Sequence, residues 1–219
     1  ERTGRRLVPG AVCVYATHVE AAKEVFGPMG IPVAAVAGNF PSGKASIPLK
    51  VHEVSAAVLR GADEIDLVID RGLLLEQGPQ ACFKEVQAVR GICAGKALKV
   101  ILESGQIADP LLLGETAHAV LEAGADFLKT STGKSDLGAT PTAATIFCRA
   151  LNIWEKAHGE QRGFKASGGI RTLEDAQTYM DIYLAETGRD HIDAAHFRIG
   201  ASGLANAVIE AYSKGLPGI

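Results

Sequence analysis

The chain has 219 residues, of which 47% are apolar and 21% charged, a composition typical of a globular protein that buries one core. Its net charge is −3 and the acidic and basic residues are interspersed, which argues against a nucleic-acid partner or an anionic-membrane partner. No apolar run approaches the roughly 20 residues that cross a bilayer. The four cysteines lack C-x-x-C spacing and the six histidines lack metal-ligand spacing. We therefore expect a cytoplasmic protein with reduced thiols and no metal.

Short apolar runs alternate with amphipathic segments of helical length along the whole chain. The runs occupy residues 10–15, 32–37, 64–69, 97–102, 126–130, 163–166 and 196–199, and the helical segments 18–26, 47–60, 80–94, 111–123, 142–157 and 173–186. Continuously apolar runs are typical of parallel strands that are covered on both faces. Thr172 with Asp175 predicts a capping box, and Thr140 before Pro141 predicts another helix start. The pattern is therefore a repeated β–α unit.

Seven such units without a linker predict one domain over residues 1–219, a TIM (β/α)8 barrel. Because only seven units are visible, we expect the first strand of that barrel to be missing from the N-terminus of this chain, which opens on Glu1 rather than methionine. A doubly wound open sheet is the alternative. Against it, the dinucleotide motif G-x-G-x-x-G is absent, and glycines cluster at the ends of the last strands.

Charged residues interrupt four of the apolar strands near their C-terminal ends, where the active site of a barrel lies. They are Asp66, Lys99 with Glu103, Lys129 and Lys165. A lysine in a barrel core is costly to bury as a cation, so it must be paired, neutralised or used. Three lysines on three strands therefore predict a shared functional pocket.

Lys129 stands beside a run of hydroxyl residues at the end of its strand, which favours a nucleophile facing a substrate. A free lysine is almost fully protonated at neutral pH, and a second cation nearby favours the neutral amine that attacks carbonyls. Lys165 can supply that cation, and Asp66 can organise a proton relay. In the alternative interpretation, Asp66 only pairs with a core lysine and Lys129 only extends toward solvent.

Glycine-rich turns follow the last two strands and lead into helices. Gly168 and Gly169 form one turn, and Gly200 with Ser202 belongs to the other. Backbone N–H groups at helix N-termini in these positions form the phosphate site of many barrels. Ordinary β–α turns are the alternative. Lys134 lies in a GKS string, but the first glycine of a Walker loop is absent, so a nucleotide site is not predicted.

Five segments taken together resemble the deoxyribose-phosphate aldolase family. They are AGADFLKTSTGK at 123–134, GFKASGGIRT at 163–172, GADEIDLVID at 61–70, LKVILESG at 98–105 and FRIGASG at 197–203. The resemblance implies a TIM barrel and a class I mechanism that needs no metal or other cofactor. It also implies reversible cleavage of 2-deoxy-D-ribose 5-phosphate to D-glyceraldehyde 3-phosphate and acetaldehyde, a step of deoxyribonucleotide catabolism, by a homodimer.

The resemblance also implies a role for each matching residue. Lys129 corresponds to the Schiff-base lysine, Lys165 to the second lysine that lowers its pKa, and Asp66 to the proton-relay aspartate. Cys13 matches a cysteine that lies near the site in relatives. The expected substrate- and phosphate-binding residues are Gly168, Gly169, Gly200, Ser202, Thr132, Lys134 and Cys13.

Two further departures from the family concern the site. Gly203 follows Ser202 where many relatives carry a second serine, and the chain ends in Pro217, Gly218 and Ile219 rather than a closing tyrosine. Two rival functions stay open. One is another Schiff-base barrel aldolase that acts on a keto acid or a ketose phosphate, and the other is a catalytically inactive phosphosugar-binding protein.

Overall fold

Seven parallel strands, eight α-helices and three short 3-10 helices make up the computed structural model, which describes residues 7–214. The strands are β1 (Val12–Tyr15), β2 (Val33–Ala37), β3 (Glu64–Val68), β4 (Ala97–Ile101), β5 (Phe127–Lys129), β6 (Gly163–Ser167) and β7 (Phe197–Gly200). The helices are α1 (Val19–Phe26), α2 (Ile47–Leu59), α3 (Arg71–Gln77), α4 (Pro79–Arg90), α5 (Pro110–Glu122), α6 (Pro141–His158), α7 (Leu173–Thr187) and α8 (Ser202–Ser213). All seven predicted strands are confirmed.

The strands pair in sequence order, β1 to β7, in one parallel sheet. The sheet is strongly curled, so Arg198 on β7 reaches across the interior to Glu64 on β3, with an N–O distance of 3.1 Å. Within residues 7–214, β1 and β7 are the edge strands, and each is paired with a neighbour on one side only. The architecture is the expected TIM-like α/β fold with seven of its eight strands. The terminal Pro217, Gly218 and Ile219 lie outside the described residues.

Side-chain caps fix the start of several helices. Thr140 Oγ1 accepts from Ala143 N at 3.2 Å at the start of α6, and Thr172 forms a complete capping box with Asp175. Both predicted helix starts are confirmed. The short helix α3 was not expected from the sequence, and Gly78, at φ +77°, separates it from α4. None of the helices within residues 7–214 is long and apolar enough to cross a bilayer.

The two faces of the sheet differ in chemistry. Residues such as Ile65, Leu67 and Leu128 face outward and form the apolar core with the surrounding helices. Their neighbours along each strand face the interior, because side chains alternate in β-structure. The interior face carries a buried set of charged residues, namely Glu64, Asp66, Lys99, Lys129 and Lys165. The apolar core therefore lies outside the barrel and the charged cluster lies inside it.

The Thr140 cap provides a test of how α6 is held. We expect Thr140→Ala to lower the free energy of unfolding by about 1 kcal/mol, because it leaves a helix N–H without its acceptor. Thr140→Ser, which keeps the hydroxyl, should recover most of that loss. Urea unfolding followed by circular dichroism gives both values. Equal stability of the alanine variant and the wild type would contradict the assignment of this cap.

Candidate active site

Lys129 and Lys165 occupy directly paired positions on β5 and β6. Both amines donate to the same oxygen, Oδ2 of Asp66, and each N–O distance is 2.7 Å. The two nitrogens are therefore separated by no more than twice that distance. All three side chains are buried. The structure thus brings together the three residues that the sequence singled out as catalytic candidates.

Hydrogen bonds between the ends of β5 and β6 hold the two lysines in this register. Thr130 Oγ1 donates to Ser167 O at 3.1 Å and accepts from Ser167 N at 2.9 Å. Ser167 Oγ donates to Ser131 O at 2.6 Å, and Ser131 Oγ donates to Ser167 O in return. The hydroxyl run after Lys129 therefore ties the two strands together as well as lining the strand end.

Asp66 has contacts on both carboxylate oxygens. Its Oδ1 accepts from Lys99 Nζ at 2.8 Å, and Cys13 Sγ lies 3.8 Å from its Oδ2. Cys13 lies on the edge strand β1 and is exposed, and its thiol is near the carboxylate that the two lysines share, as the family resemblance implied. One buried carboxylate thus faces three ammonium groups and a thiol.

A second buried ion pair supports the C-terminal end of β3 from outside the barrel. Lys50 Nζ donates to Val68 O at 3.0 Å and to Glu85 Oε1 at 2.9 Å. Glu85 Oε2 accepts from Asp70 N at 3.0 Å. The pair satisfies backbone groups immediately after the strand that carries Asp66, so it stabilises the position of that carboxylate.

The electrostatics distinguish the two paired lysines. Burial opposes ionisation of Asp66, but the charges of Lys129, Lys165 and Lys99 outweigh burial and hold the pKa of Asp66 well below its ordinary value. For Lys129, burial together with the Lys165 charge outweighs the attraction of Asp66, and its pKa is lowered. For Lys165, burial acts in the same direction, but Asp66 outweighs it and the pKa is raised. Lys129 is therefore the amine that gives up its proton more readily.

A lower layer of charge lies beneath this site. Lys99 Nζ lies 2.6 Å from Glu64 Oε2, and Glu64 Oε1 lies 3.1 Å from Arg198 Nη2. Sequence reasoning noted Lys99 but missed Glu64 and Arg198. The available signal was the strand alternation, because Glu64 is two residues before Asp66 and so shares its face.

The loop between β5 and α6 is held by Glu103, a buried carboxylate whose residue adopts the left-handed conformation at φ +51°. Thr132 Oγ1 donates to Glu103 Oε2 at 2.6 Å, and Ser135 Oγ donates to Glu103 Oε1 at 2.9 Å. Lys134 is exposed on this loop, and its backbone N–H donates to Thr132 Oγ1. Arg71 Nη1 lies 3.9 Å from Glu103 Oε2. The loop that carries two predicted substrate-binding residues thus depends on a carboxylate without a predicted role.

The glycines of the predicted phosphate turns differ in their surroundings. A Cβ at Gly200 would lie 3.1 Å from Lys165 Cε, and a Cβ at Gly168 would lie 2.7 Å from Ser131 Oγ. Gly169, at φ +83°, has open space around its Cβ position. Ser202 is the first residue of α8 and is exposed. Gly200 and Gly168 therefore pack against the lysine-bearing strands, whereas Gly169 and Ser202 face open space or solvent.

Among residues 7–214, no group of three or more His, Cys, Asp or Glu side chains is arranged to hold a metal ion. The charged cluster inside the barrel is instead rich in amines. Four basic residues, Lys99, Lys129, Lys165 and Arg198, accompany two carboxylates, Asp66 and Glu64. Such a set can hold one amine uncharged and can attract an anionic substrate.

A family model described as DeoC/LacD family aldolase matches residues 6–206. The chain belongs to this aldolase family. The matched DeoC/LacD region runs from before β1 into α8, so it includes every residue of the charged cluster.

Solved structures are similar over most of the chain. A provisionally assigned deoxyribose-phosphate aldolase from Toxoplasma gondii has a TM-score of 0.83 at 27% identity, covering 93% of this chain and 81% of that chain. Another provisionally assigned one, from Coccidioides immitis, has a TM-score of 0.77 at 30% identity, covering 93% and 73%. The deoxyribose phosphate aldolase of Aeropyrum pernix, a tetramer, has a TM-score of 0.73 at 26% identity, covering 94% and 78%. For this DeoC/LacD aldolase, the homodimer stays a prediction.

The dependence of the cluster on Asp66 can be tested by unfolding. We expect Asp66→Asn to lower the free energy of unfolding at neutral pH by roughly 3–5 kcal/mol, because three buried amines lose their shared counterion. The loss should shrink at about pH 9.5. The unpaired lysines would have folded pKa values below the unfolded value of roughly 10.4, so the unfolded chain binds more protons and stability rises with pH.

Urea unfolding at both pH values measures this dependence. Asp190→Asn is the control, because the Asp190 carboxylate is exposed and pairs with the neighbouring His191 at the protein surface. A loss for Asp66→Asn that stays constant between the two pH values would show that the lysines are not unpaired cations in that variant.

Proposed function

We propose that the protein cleaves 2-deoxy-D-ribose 5-phosphate reversibly to D-glyceraldehyde 3-phosphate and acetaldehyde, with Lys129 as the Schiff-base nucleophile. The observation that carries the proposal is the pair of amines on one carboxylate oxygen, Lys129 and Lys165 each 2.7 Å from Asp66 Oδ2. Membership of an aldolase family and the names of the similar solved proteins support the substrate. We further infer a cytoplasmic homodimer that acts in deoxyribonucleotide catabolism.

Catalysis begins with the neutral Lys129 amine. Its nitrogen attacks carbon 1 of the open-chain aldehyde, and the resulting carbinolamine loses water to form an iminium ion. Lys165 remains protonated beside it and disfavours protonation of Lys129. The opposite directions of the two pKa shifts, downward for Lys129 and upward for Lys165, support this assignment of nucleophile and cationic neighbour.

Carbon–carbon cleavage then uses the iminium as the electron sink. A base removes the proton of the 3-hydroxyl, and the bond between carbons 2 and 3 breaks. Glyceraldehyde 3-phosphate leaves, and its aldehyde carbon is the former carbon 3 of the sugar. The electron pair of the broken bond forms an enamine on Lys129. Asp66, acting with Lys165 or through water, relays the protons. Protonation of the enamine at carbon 2 and hydrolysis release acetaldehyde and regenerate the amine.

Phosphate binding positions the reacting carbons for these steps. We assign it to the turns at Gly168 and Gly169 and at Gly200 and Ser202, assisted by the loop that carries Thr132 and Lys134. The helix α8 begins at Ser202, so its first backbone N–H groups are available to an anion. Binding energy from this remote group is then used to orient carbons 1 to 3.

Covalent trapping tests the nucleophile. Borohydride added with deoxyribose 5-phosphate should reduce the iminium and leave a stable adduct on Lys129, detected by peptide mass spectrometry. Lys129→Met should abolish the adduct, whereas Lys156→Met, which removes an exposed lysine of α6, should leave it unchanged. An unmodified Lys129 peptide in the wild type would refute the mechanism.

A comparison of aldol donors separates the rival functions. Acetaldehyde and pyruvate are compared as donors with glyceraldehyde 3-phosphate as the acceptor. Preference for pyruvate would indicate a keto-acid aldolase. A protein that binds the sugar phosphate but gives neither an adduct nor product with any donor would be an inactive homologue.

Lys165 is tested by the pH dependence of imine formation. We expect Lys165→Leu to slow imine formation at pH 7 by about tenfold or more, because loss of the neighbouring cation raises the pKa of Lys129. The rate should recover partly as the pH rises, since more Lys129 becomes neutral. Single-turnover borohydride trapping across pH gives the profile. A uniform loss at every pH would assign Lys165 a packing role instead.

A further inference from the structure

The lower charged layer inside the barrel continues upward to the lysine pair as an alternating series. Arg198 on β7 contacts Glu64 on β3 at 3.1 Å, Glu64 contacts Lys99 on β4 at 2.6 Å, and Lys99 contacts Asp66 at 2.8 Å. Asp66 in turn holds the Lys129 amine. The exposed fraction of these side chains is at most 15%, so water screens the series weakly.

Lys99 lies between two carboxylates but is hydrogen-bonded to only one of them. Lys99 Nζ makes a hydrogen bond to Asp66, whereas its contact with Glu64 Oε2 lacks hydrogen-bond geometry. Glu64 directs its other oxygen to Arg198. Glu64 is thus matched to Arg198, and Asp66 is matched to Lys99. The charge of Asp66 is then already balanced before Lys129 and Lys165 are counted.

We propose that Glu64 and Arg198, one layer below the reacting amine, are positioning residues that set the pH at which Lys129 loses its proton. Neither residue contacts Lys129 in the structure through a hydrogen bond or ion pair that involves its amine. They act through Lys99, whose amine lies between Glu64 and Asp66. The inference rests on the proposed function only in taking Lys129 as the nucleophile.

The direction of each effect follows from the pairing. Without the Arg198 charge, Glu64 attracts Lys99 more strongly, and Asp66 becomes free to hold Lys129 as a cation. The Lys129 amine then stays protonated to higher pH. Without the Glu64 charge, Arg198 and Lys99 add uncompensated positive charge below the site, and Lys129 loses its proton at lower pH. Removal of both charges should largely cancel.

Other ionisable groups also surround the Lys129 amine, but the proposed variants leave them in place. They are Cys13 on β1, Asp66 on β3, Lys165 on β6 and Lys99 on β4, which shares the Asp66 carboxylate. The interior positions Ala34 and Val36 of β2 carry no charge. A change in the titration of Lys129 can therefore be assigned to Glu64 and Arg198.

Competitive acetylation measures that titration without substrate. The full chain is treated with trace acetic anhydride across pH, and acetylation of the Lys129 peptide is quantified by mass spectrometry. We expect Arg198→Met to move the midpoint upward and Glu64→Gln to move it downward. Each change should be on the order of half a pH unit or more, the size expected when one weakly screened charge is removed. The Glu64→Gln/Arg198→Met double variant should return close to the wild-type midpoint.

A matched ion pair on the outside of the barrel serves as the control. Arg149 on α6 contacts Glu186 on α7 at 2.7 Å, and the Arg149 side chain is 65% exposed. Arg149→Met and Glu186→Gln remove the same charges but should leave the Lys129 midpoint unchanged, because solvent screens them. Equal midpoints in the wild type, Glu64→Gln and the double variant would overturn the proposal. The comparison of the wild type, Glu64→Gln and the double variant tests the proposal even if the single variant Arg198→Met fails to fold.

The result is independent of the aldolase assignment. If the midpoints move in opposite directions but borohydride traps no adduct, the proposed function fails and the role of Glu64 and Arg198 stands. If Lys129 is trapped but its midpoint is the same in every variant, the proposed function stands and the positioning role is wrong. In the active enzyme, the pH profile of imine formation should shift with the acetylation midpoint.

Discussion

The carboxylate of Asp66 is the interaction on which the interior of this barrel depends. It accepts hydrogen bonds from Lys99, Lys129 and Lys165, and all four side chains are buried. Three ammonium groups cannot be transferred from water into such a space without a counterion. The strands β3 to β6 must therefore keep their register, because a shift by one residue would turn each charged side chain into the apolar layer under the helices.

Positive charge exceeds negative charge inside the barrel, and the structure distributes the excess rather than removing it. Asp66 and Glu64 each contact more than one cation, and Lys129 has its pKa lowered while Lys165 has its pKa raised. A cluster selected for stability alone would be better served by apolar side chains of similar volume. The opposite pKa shifts of these two neighbouring lysines therefore support their proposed roles as nucleophile and cationic neighbour.

Sequence reasoning recovered the features that depend on one strand at a time. The apolar runs predicted all seven strands. Lys129 and Lys165 were recognised as site candidates because a charged residue within an apolar run is visible in the sequence itself. The partnership of Glu64 with Arg198 was not predictable in this way. It depends on how the curl of the sheet brings β7 across to β3, and no local pattern encodes that distance. The left-handed backbone conformation of Glu103 was not predictable either, since the residue is held by loop contacts with Thr132 and Ser135.

Gly200 shows how one residue satisfies two constraints in this site. Its place in a glycine-rich turn suggested close approach of backbone to a phosphate. In the structure, a Cβ at this position would lie 3.0 Å from Ser167 Cβ and 3.1 Å from Lys165 Cε. The absent side chain therefore leaves room for the stem of Lys165, whose amine reaches Asp66. Lysine placement and the proposed anion binding share this glycine, so the turn proposed to hold the phosphate is also coupled by packing to the cation beside Lys129.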